Sequence, residues 1–249
     1  MKIIQIENKD NKKVLIHFDN NQKLLISKEV VYQTGLRKAD ELSDEQIKDL
    51  LEQEIKFNLK QKALSFLSRR IHSKRELFDK LRRHSSDLIF IEECLSDLEK
   101  NGLVDDYYFT ELFIQEKIRL KKWSRSKLKL ELLKRGVKKE TIEEYLEKLF
   151  DTNQEKNKAI ELLRKKLNQI KTRTKDKKIL YQKLFMYLNS KGYDYELSSE
   201  IIRNELNIND EPSVWFYKIL SFSLNNISFK PSLSTNLIAS SNLYHLRFL

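Results

Sequence analysis

Two carboxylates stand side by side in the stretch NGLVDDYYFTELFIQEK (residues 101–117): Asp105 and Asp106, just ahead of an aromatic run. Adjacent acids can hold a divalent metal or divide acid and base work. A metal-dependent nuclease would need further carboxylates converging on them. The nearest, Glu111, lies about one and a half helical turns further on. The same residues also suit a helix start. Gly102 ends one helix, Leu103 packs, and an Asp caps the next, where its charge complements the helix dipole. Capping and docking explain more of the stretch than a metal does.

Other chemistry is hard to find. The four histidines, His17, His72, His84 and His245, are scattered, with no HExxH pattern and no His/Cys cluster. Cys94 is the single cysteine, so neither a disulfide framework nor a cysteine metal site is available. There is no GxxxxGK[ST] and no GxGxxG. No catalytic residue, metal or cofactor is therefore nominated, and the chain is expected not to be an enzyme. No signal-peptide pattern opens it, and no stretch approaches the apolar length of a membrane span. A cytoplasmic, membrane-free protein is the expectation.

The elements that must position any site are mostly helical. With four Gly and two Pro in 249 residues, the chain lacks the punctuation of a loop-rich protein. Residues 2–27 alternate as IIQIE, KVLIHF and KLLIS, separated by Asn/Asp-rich turns, which predicts a three-stranded meander. KEVVYQTGL reads as a short helix stopped by Gly35, and Ser43 as the N-cap of another. From about residue 46 to 207 the pattern repeats roughly every 51 residues: SKRELFDKL (73–81), SRSKLKLEL (124–132) and DKKILYQKL (176–184). Ser73, Ser124 and Asp176 lead these units as capping residues. Leu77, Leu128 and Leu180 recur at one offset and Leu81, Leu132 and Leu184 at another, an apolar stripe at i, i+4. One helix precedes and one follows each segment. The fold class is mainly α: an elongated, curved array of three tandem three-helix repeats behind a small N-terminal β-meander. The boundaries are 1–45 (meander and short helix), 46–107, 108–151 and 152–207 (repeats one to three), and 208–249, an atypical tail rich in Ser, Asn and aromatics.

The net charge of +11 points to an anionic partner, nucleic acid above all. Its distribution is ordered. Arg69–Arg83 holds seven Lys/Arg against two acids, Lys117–Arg135 nine against one, and Lys156–Lys183 eleven against two. Asp87–Glu111 holds eight acids against Lys100. Equivalent helices of stacked repeats line up, so a basic stripe and a separate acidic patch are expected. A line of cations gives salt-sensitive, sequence-independent binding. The residues nominated are Arg69, Arg70, Lys74, Arg82, Arg83, Lys121, Lys122, Trp123, Arg125, Lys127, Lys129, Lys165 and Lys166. Reversing Arg125, Lys127 and Lys129 is expected to weaken DNA binding. Trp123 has two readings, a base-stacking platform or a residue packed between repeats.

On these residues the chain resembles the RecX family, regulators of the RecA recombinase, over roughly residues 1–207. The family's Gly-Leu/Tyr-Leu/Val-Asp-Asp-x-x-Phe segment is matched by Gly102, Leu103, Val104, Asp105, Asp106 and Phe109. Its Ile/Leu-x-x-Glu-Leu-x-x-Lys/Arg-Gly-Ile/Val pattern is matched by Leu128, Glu131, Leu132, Arg135, Gly136 and Val137. Ala63, Leu67, Arg70, Ser73, Glu76, Leu77, Lys80 and Leu81 are similar to its first repeat. GLRKADEL (35–42) resembles a Gly-Leu-x-x-Gly-x-x-Leu stretch, with Ala39 in place of the second Gly. The resemblance implies a non-enzymatic monomer that lies in the groove of the RecA–single-stranded DNA filament. Such a protein limits the filament's extension, ATPase and strand exchange in DNA repair, recombination and the SOS response. Its partners would be RecA and single-stranded DNA, with double-stranded DNA as a further ligand. A free-standing, sequence-independent DNA-binding protein is the alternative.

Overall fold

A computed structural model describes residues 1–208. The tail assigned to 208–249 lies, from residue 209 on, outside the described residues. Residues 1–155 form one compact unit and the chain from residue 156 another.

The first unit opens with the meander: β1 (Ile3–Asn8), β2 (Lys13–Phe18) and β3 (Lys23–Ser27), antiparallel in the order β1-β2-β3. Asp10 sets the first turn by accepting from the Lys12 and Lys13 N–H groups. Alternation puts Ile3, Val14, Ile16, Phe18 and Ile26 on one buried face. They pack on Val30 of α1 (Lys28–Thr34), on Leu42 in the connection that follows, and on Leu50 in the first half of α2 (Asp44–Leu67). A buried carboxylate fixes the docking. Glu54 of α2 accepts from the Ser27 N–H (2.8 Å), the Ser27 hydroxyl (2.9 Å) and the Asn58 amide (2.8 Å), and pairs with Lys13 (3.6 Å). Gly35 ends α1 at φ 69°. Ala39 takes φ 77° although it carries a Cβ, and its N–H still reaches the Ile3 carbonyl (2.9 Å). The turn therefore survives the missing glycine, at a cost of about 1–2 kcal/mol.

Ser43 caps α2 in a reciprocal capping box with Gln46. This helix runs unbroken for 24 residues. No Gly or Pro interrupts residues 44–67, so one helix serves both the meander and the first repeat.

Repeat one is completed by α3 (Lys74–Leu81) and α4 (Leu88–Lys100). Repeat two is α5 (Asp106–Lys121), α6 (Arg125–Lys134) and α7 (Lys139–Leu149). In the second unit, α8 (Thr152–Ile170), which starts just before it, is followed by α9 (Lys177–Ser190) and α10 (Tyr195–Leu206). Ser73, Ser124 and Asp176 cap α3, α6 and α9 with their side chains. The leucines at both repeat offsets are buried in all three repeats, each repeat with its own core. Each such side chain contributes about 1.5–3 kcal/mol.

Candidate nucleic-acid interface

The two adjacent acids divide their work between two repeats. Asp105 is the N-cap of α5, accepting from the Tyr107 N–H (2.8 Å) and the Tyr108 N–H (3.2 Å). Asp106 turns back and accepts from the Lys74 N–H (2.8 Å), the first residue of α3 in the preceding repeat. Burial pushes the Asp106 carboxyl above its usual range, against the pull of that N–H. One repeat on, Glu155 accepts from the Arg125 N–H (3.2 Å), the matching first residue of α6. Each of these central helices thus has its own cap and a second acceptor from downstream. Among the described residues no three His, Cys, Asp or Glu side chains gather as a metal set.

Around this joint α3 and α6 meet closely. The Ser73 hydroxyl donates to the Arg135 carbonyl (2.7 Å), and the Arg135 guanidinium bridges Glu76 (3.2 Å) and Glu131 (2.8 Å). Glu76 also takes Arg70 (2.8 Å) and His72 (3.2 Å). Burial raises the Glu76 carboxyl, but Arg70, His72 and Arg135 together outweigh it and hold it below its ordinary value. Gly136 sits at φ 74°, and a Cβ there would fall 2.4 Å from the Cβ of Arg75. Gly102, at φ 68°, has open space instead. Leu103 corrects the sequence reading. It is 50% exposed, and its neighbour Val104 enters the core, because the backbone turns over at Gly102.

The nominated cations separate into two groups. Those on α6 are tied to carboxylates: Arg125 to Glu143 (3.3 Å), Lys129 to Glu143, and Lys127 to Glu131 (3.8 Å). The next two follow suit, Lys134 with Glu131 (3.2 Å) and Arg135 as above. In repeat one, Arg70 is paired with Glu76 and Lys74 with Glu99 (2.6 Å). By contrast Arg69, Arg82, Arg83 and Lys121 are exposed and have no ion pair among the described residues. Lys122 closes α5 in the left-handed region. Trp123 is half-buried against the repeat-two core, 6.1 Å from the Phe113 ring, with Lys117 and Lys127 over its face. It packs within its repeat rather than between repeats. In the second unit Lys165 is exposed and Lys166 lies over the Tyr187 ring (5.4 Å).

The acidic side of the joint carries exposed aromatics. Tyr107 and Tyr108 are 56% and 54% exposed beside Leu103. A cavity of about 350 Å³ lies there, lined by Glu99, Asp105, Asp106 and Tyr107 among others. The nearby Tyr145 hydroxyl is pushed up, first by desolvation and then by the charges of Glu111, Glu144 and Asp105.

Tandem three-helix units behind a small antiparallel meander define a helical-repeat protein, with unpaired surface cations and an aromatic patch beside acids. The comparisons narrow that class. Family models described as "RecX, second three-helix domain" and "RecX, third three-helix domain" match residues 105–146 and 153–202. The chain is 32% identical over 200 residues to the Regulatory protein RecX of Clostridium beijerinckii, covering 80% of this chain and 92% of that one. It is 30% identical over 207 residues to the Regulatory protein RecX of Clostridioides difficile, covering 83% and 96%. A crystal structure of regulatory protein RecX shares the fold, with a TM-score of 0.58 at 21% identity over 80% of this chain and 98% of that one. The chain belongs to the RecX family of regulatory proteins.

Proposed function

We propose that this protein regulates a RecA recombinase by binding in the groove of the RecA–single-stranded DNA filament. There it restrains filament extension, ATP hydrolysis and strand exchange during DNA repair and recombination. The observation that carries this reading is the kinship with regulatory RecX proteins across nearly their whole length. Two surfaces of the first unit support it. Arg69, Arg82 and Arg83 carry charge that no carboxylate of the described chain answers, as phosphate contacts require. Exposed Leu103, Tyr107 and Tyr108, next to a cavity lined by Glu99, Asp105 and Asp106, fit a basic protein surface. Tyrosine is a favoured anchor at interfaces, and complementary charge directs the approach. We assign the first surface to DNA and the second to the recombinase. The protein acts as a cytoplasmic monomer without a cofactor.

The test is single-stranded-DNA-stimulated ATP hydrolysis by the cognate recombinase, with this protein titrated in. Inhibition well below one copy per recombinase protomer is the expected result. Unchanged hydrolysis alongside intact DNA binding would instead mark a free-standing DNA-binding protein.

A further inference from the structure

A cationic cleft that the nominated residues do not include adjoins Arg69, Arg82 and Arg83. The meander, α1 and α2 enclose an open cleft of about 760 Å³, lined by Lys12, Lys13, Lys28, Lys60 and Lys62 together with polar side chains. Two of these lysines are committed, Lys13 to Glu54 and Lys60 to Asp97 (2.7 Å). Lys12, Lys28 and Lys62 have no ion pair among the described residues. The acids near them are Glu29, which accepts from Gln33, and Asp10, which holds the turn. The flank of α2 that faces α4 differs. There Lys56 is closed by Glu93 (2.8 Å), and Lys60, at the border of the cleft, by Asp97.

The cleft continues into the repeat. Asn58, Lys62 and Phe66 fall at i, i+4 and i+8, one face of α2, and exposed Arg69 follows just past its end. The Phe66 ring holds two ammonium groups, Lys62 at 5.8 Å and Lys80 at 4.7 Å, with the His84 ring 6.0 Å away. Cation–π attraction gathers these like charges, and no carboxylate in the described residues pairs with either. Exposed Arg82 and Arg83 follow directly at the end of α3.

We propose that this track, from Lys12 and Lys28 through Lys62 and Phe66 to Arg82 and Arg83, is a binding groove for single-stranded nucleic acid. A polyanion matches a row of unanswered cations, and it relieves the repulsion between the two ammoniums on Phe66. The side-chain amides of Asn11, Gln33, Asn58 and Gln61 beside the lysines offer donors and acceptors to unpaired base edges, which a duplex does not present in a cleft. The meander is therefore part of the binding apparatus rather than a cap on the repeats. The proposal does not depend on the recombinase.

The experiment is fluorescence anisotropy of a labelled thirty-nucleotide oligothymidylate with the full chain and no recombinase, across a salt series. The triple variant Lys12→Gln, Lys28→Gln, Lys62→Gln is expected to bind at least tenfold more weakly. Its log–log salt slope should be shallower by about 2, from roughly 0.7 per lost phosphate contact on a single strand. A control triple, Lys48→Gln, Lys100→Gln, Lys139→Gln, should change affinity less than twofold. Circular dichroism establishes that both variants fold. Equal losses in the two triples, or an unchanged slope in the first, would overturn the proposal. So would a blunt duplex binding the wild-type chain more tightly than the single strand. An unaltered ATPase effect with weakened oligonucleotide binding supports this groove while leaving the recombinase reading to its own test.

Discussion

The helix α6 and the paired ends of α2 and α3 hold similar densities of Lys and Arg, yet their charge does different things. On α6 every lysine and arginine meets a carboxylate, from Glu131 on the same helix or Glu143 on α7. At the α2–α3 ends, Arg69, Arg82 and Arg83 point to solvent and Lys62 and Lys80 rest on an aromatic ring. The first region uses its charge within repeat two, with Arg135 just past α6 reaching Glu76 of repeat one, and the second leaves it available. A count of basic residues does not separate the two regions. A count of unanswered charges does.

The largest expected effect tests how rigid the α6 joint is. Gly136→Ala needs a left-handed alanine and drives its methyl into Arg75, so it should cost about 2–4 kcal/mol in urea unfolding. Gly102→Ala has the same backbone problem without the clash and should cost only about 1–2 kcal/mol. Equal losses would mean that the joint yields freely.

Charge reversal compares the two regions directly. Arg69→Glu, Arg82→Glu, Arg83→Glu should weaken oligonucleotide binding by about tenfold or more and flatten its salt dependence, with stability within about 0.5 kcal/mol. The triple Arg125→Glu, Lys127→Glu, Lys129→Glu should do the opposite. It should lose about 1–3 kcal/mol of stability, because Glu131 and Glu143 then face like charges, and change binding by only a few-fold. A larger binding loss in the second triple would break the comparison.

A smaller effect is expected at Asp106. Asp106→Ala removes the second acceptor from α3 and should cost about 1 kcal/mol, whereas Asp106→Asn keeps an acceptor and should cost less than half as much. The smallest concerns pH. Glu76 is held low despite burial, by Arg70, His72 and Arg135, so its contribution is full above its unfolded value and is lost as pH falls through the folded one. His72 is also lowered, first by burial and then by Arg70, so its contribution too is present above about pH 6.5 and fades below it. The joint should loosen in acid: His72→Asn should flatten the urea midpoint between pH 7.5 and pH 4.5, and Glu76→Gln should flatten its further fall below about pH 4.5.

Much of the fold was legible in the chain itself. The meander, the roughly 51-residue repeat, the caps Ser43, Ser73, Ser124 and Asp176, the stop at Gly35 and the buried leucine stripe are all signals between residues a few positions apart. Periodicity states which face turns inward, and a cap lies within three residues of what it caps. The rest depended on packing. Asp106 reaches 32 residues back to Lys74, Arg75 stands against Gly136, and Glu54 clasps Ser27 27 residues away. Leu103 faces out because of one glycine turn, and Glu143 neutralises lysine and arginine that the sequence counted as free. Ion pairing and close approach are decided over a few ångströms between elements. Composition fixed how much positive charge the protein carries, and tertiary contact decided which of it remains unanswered.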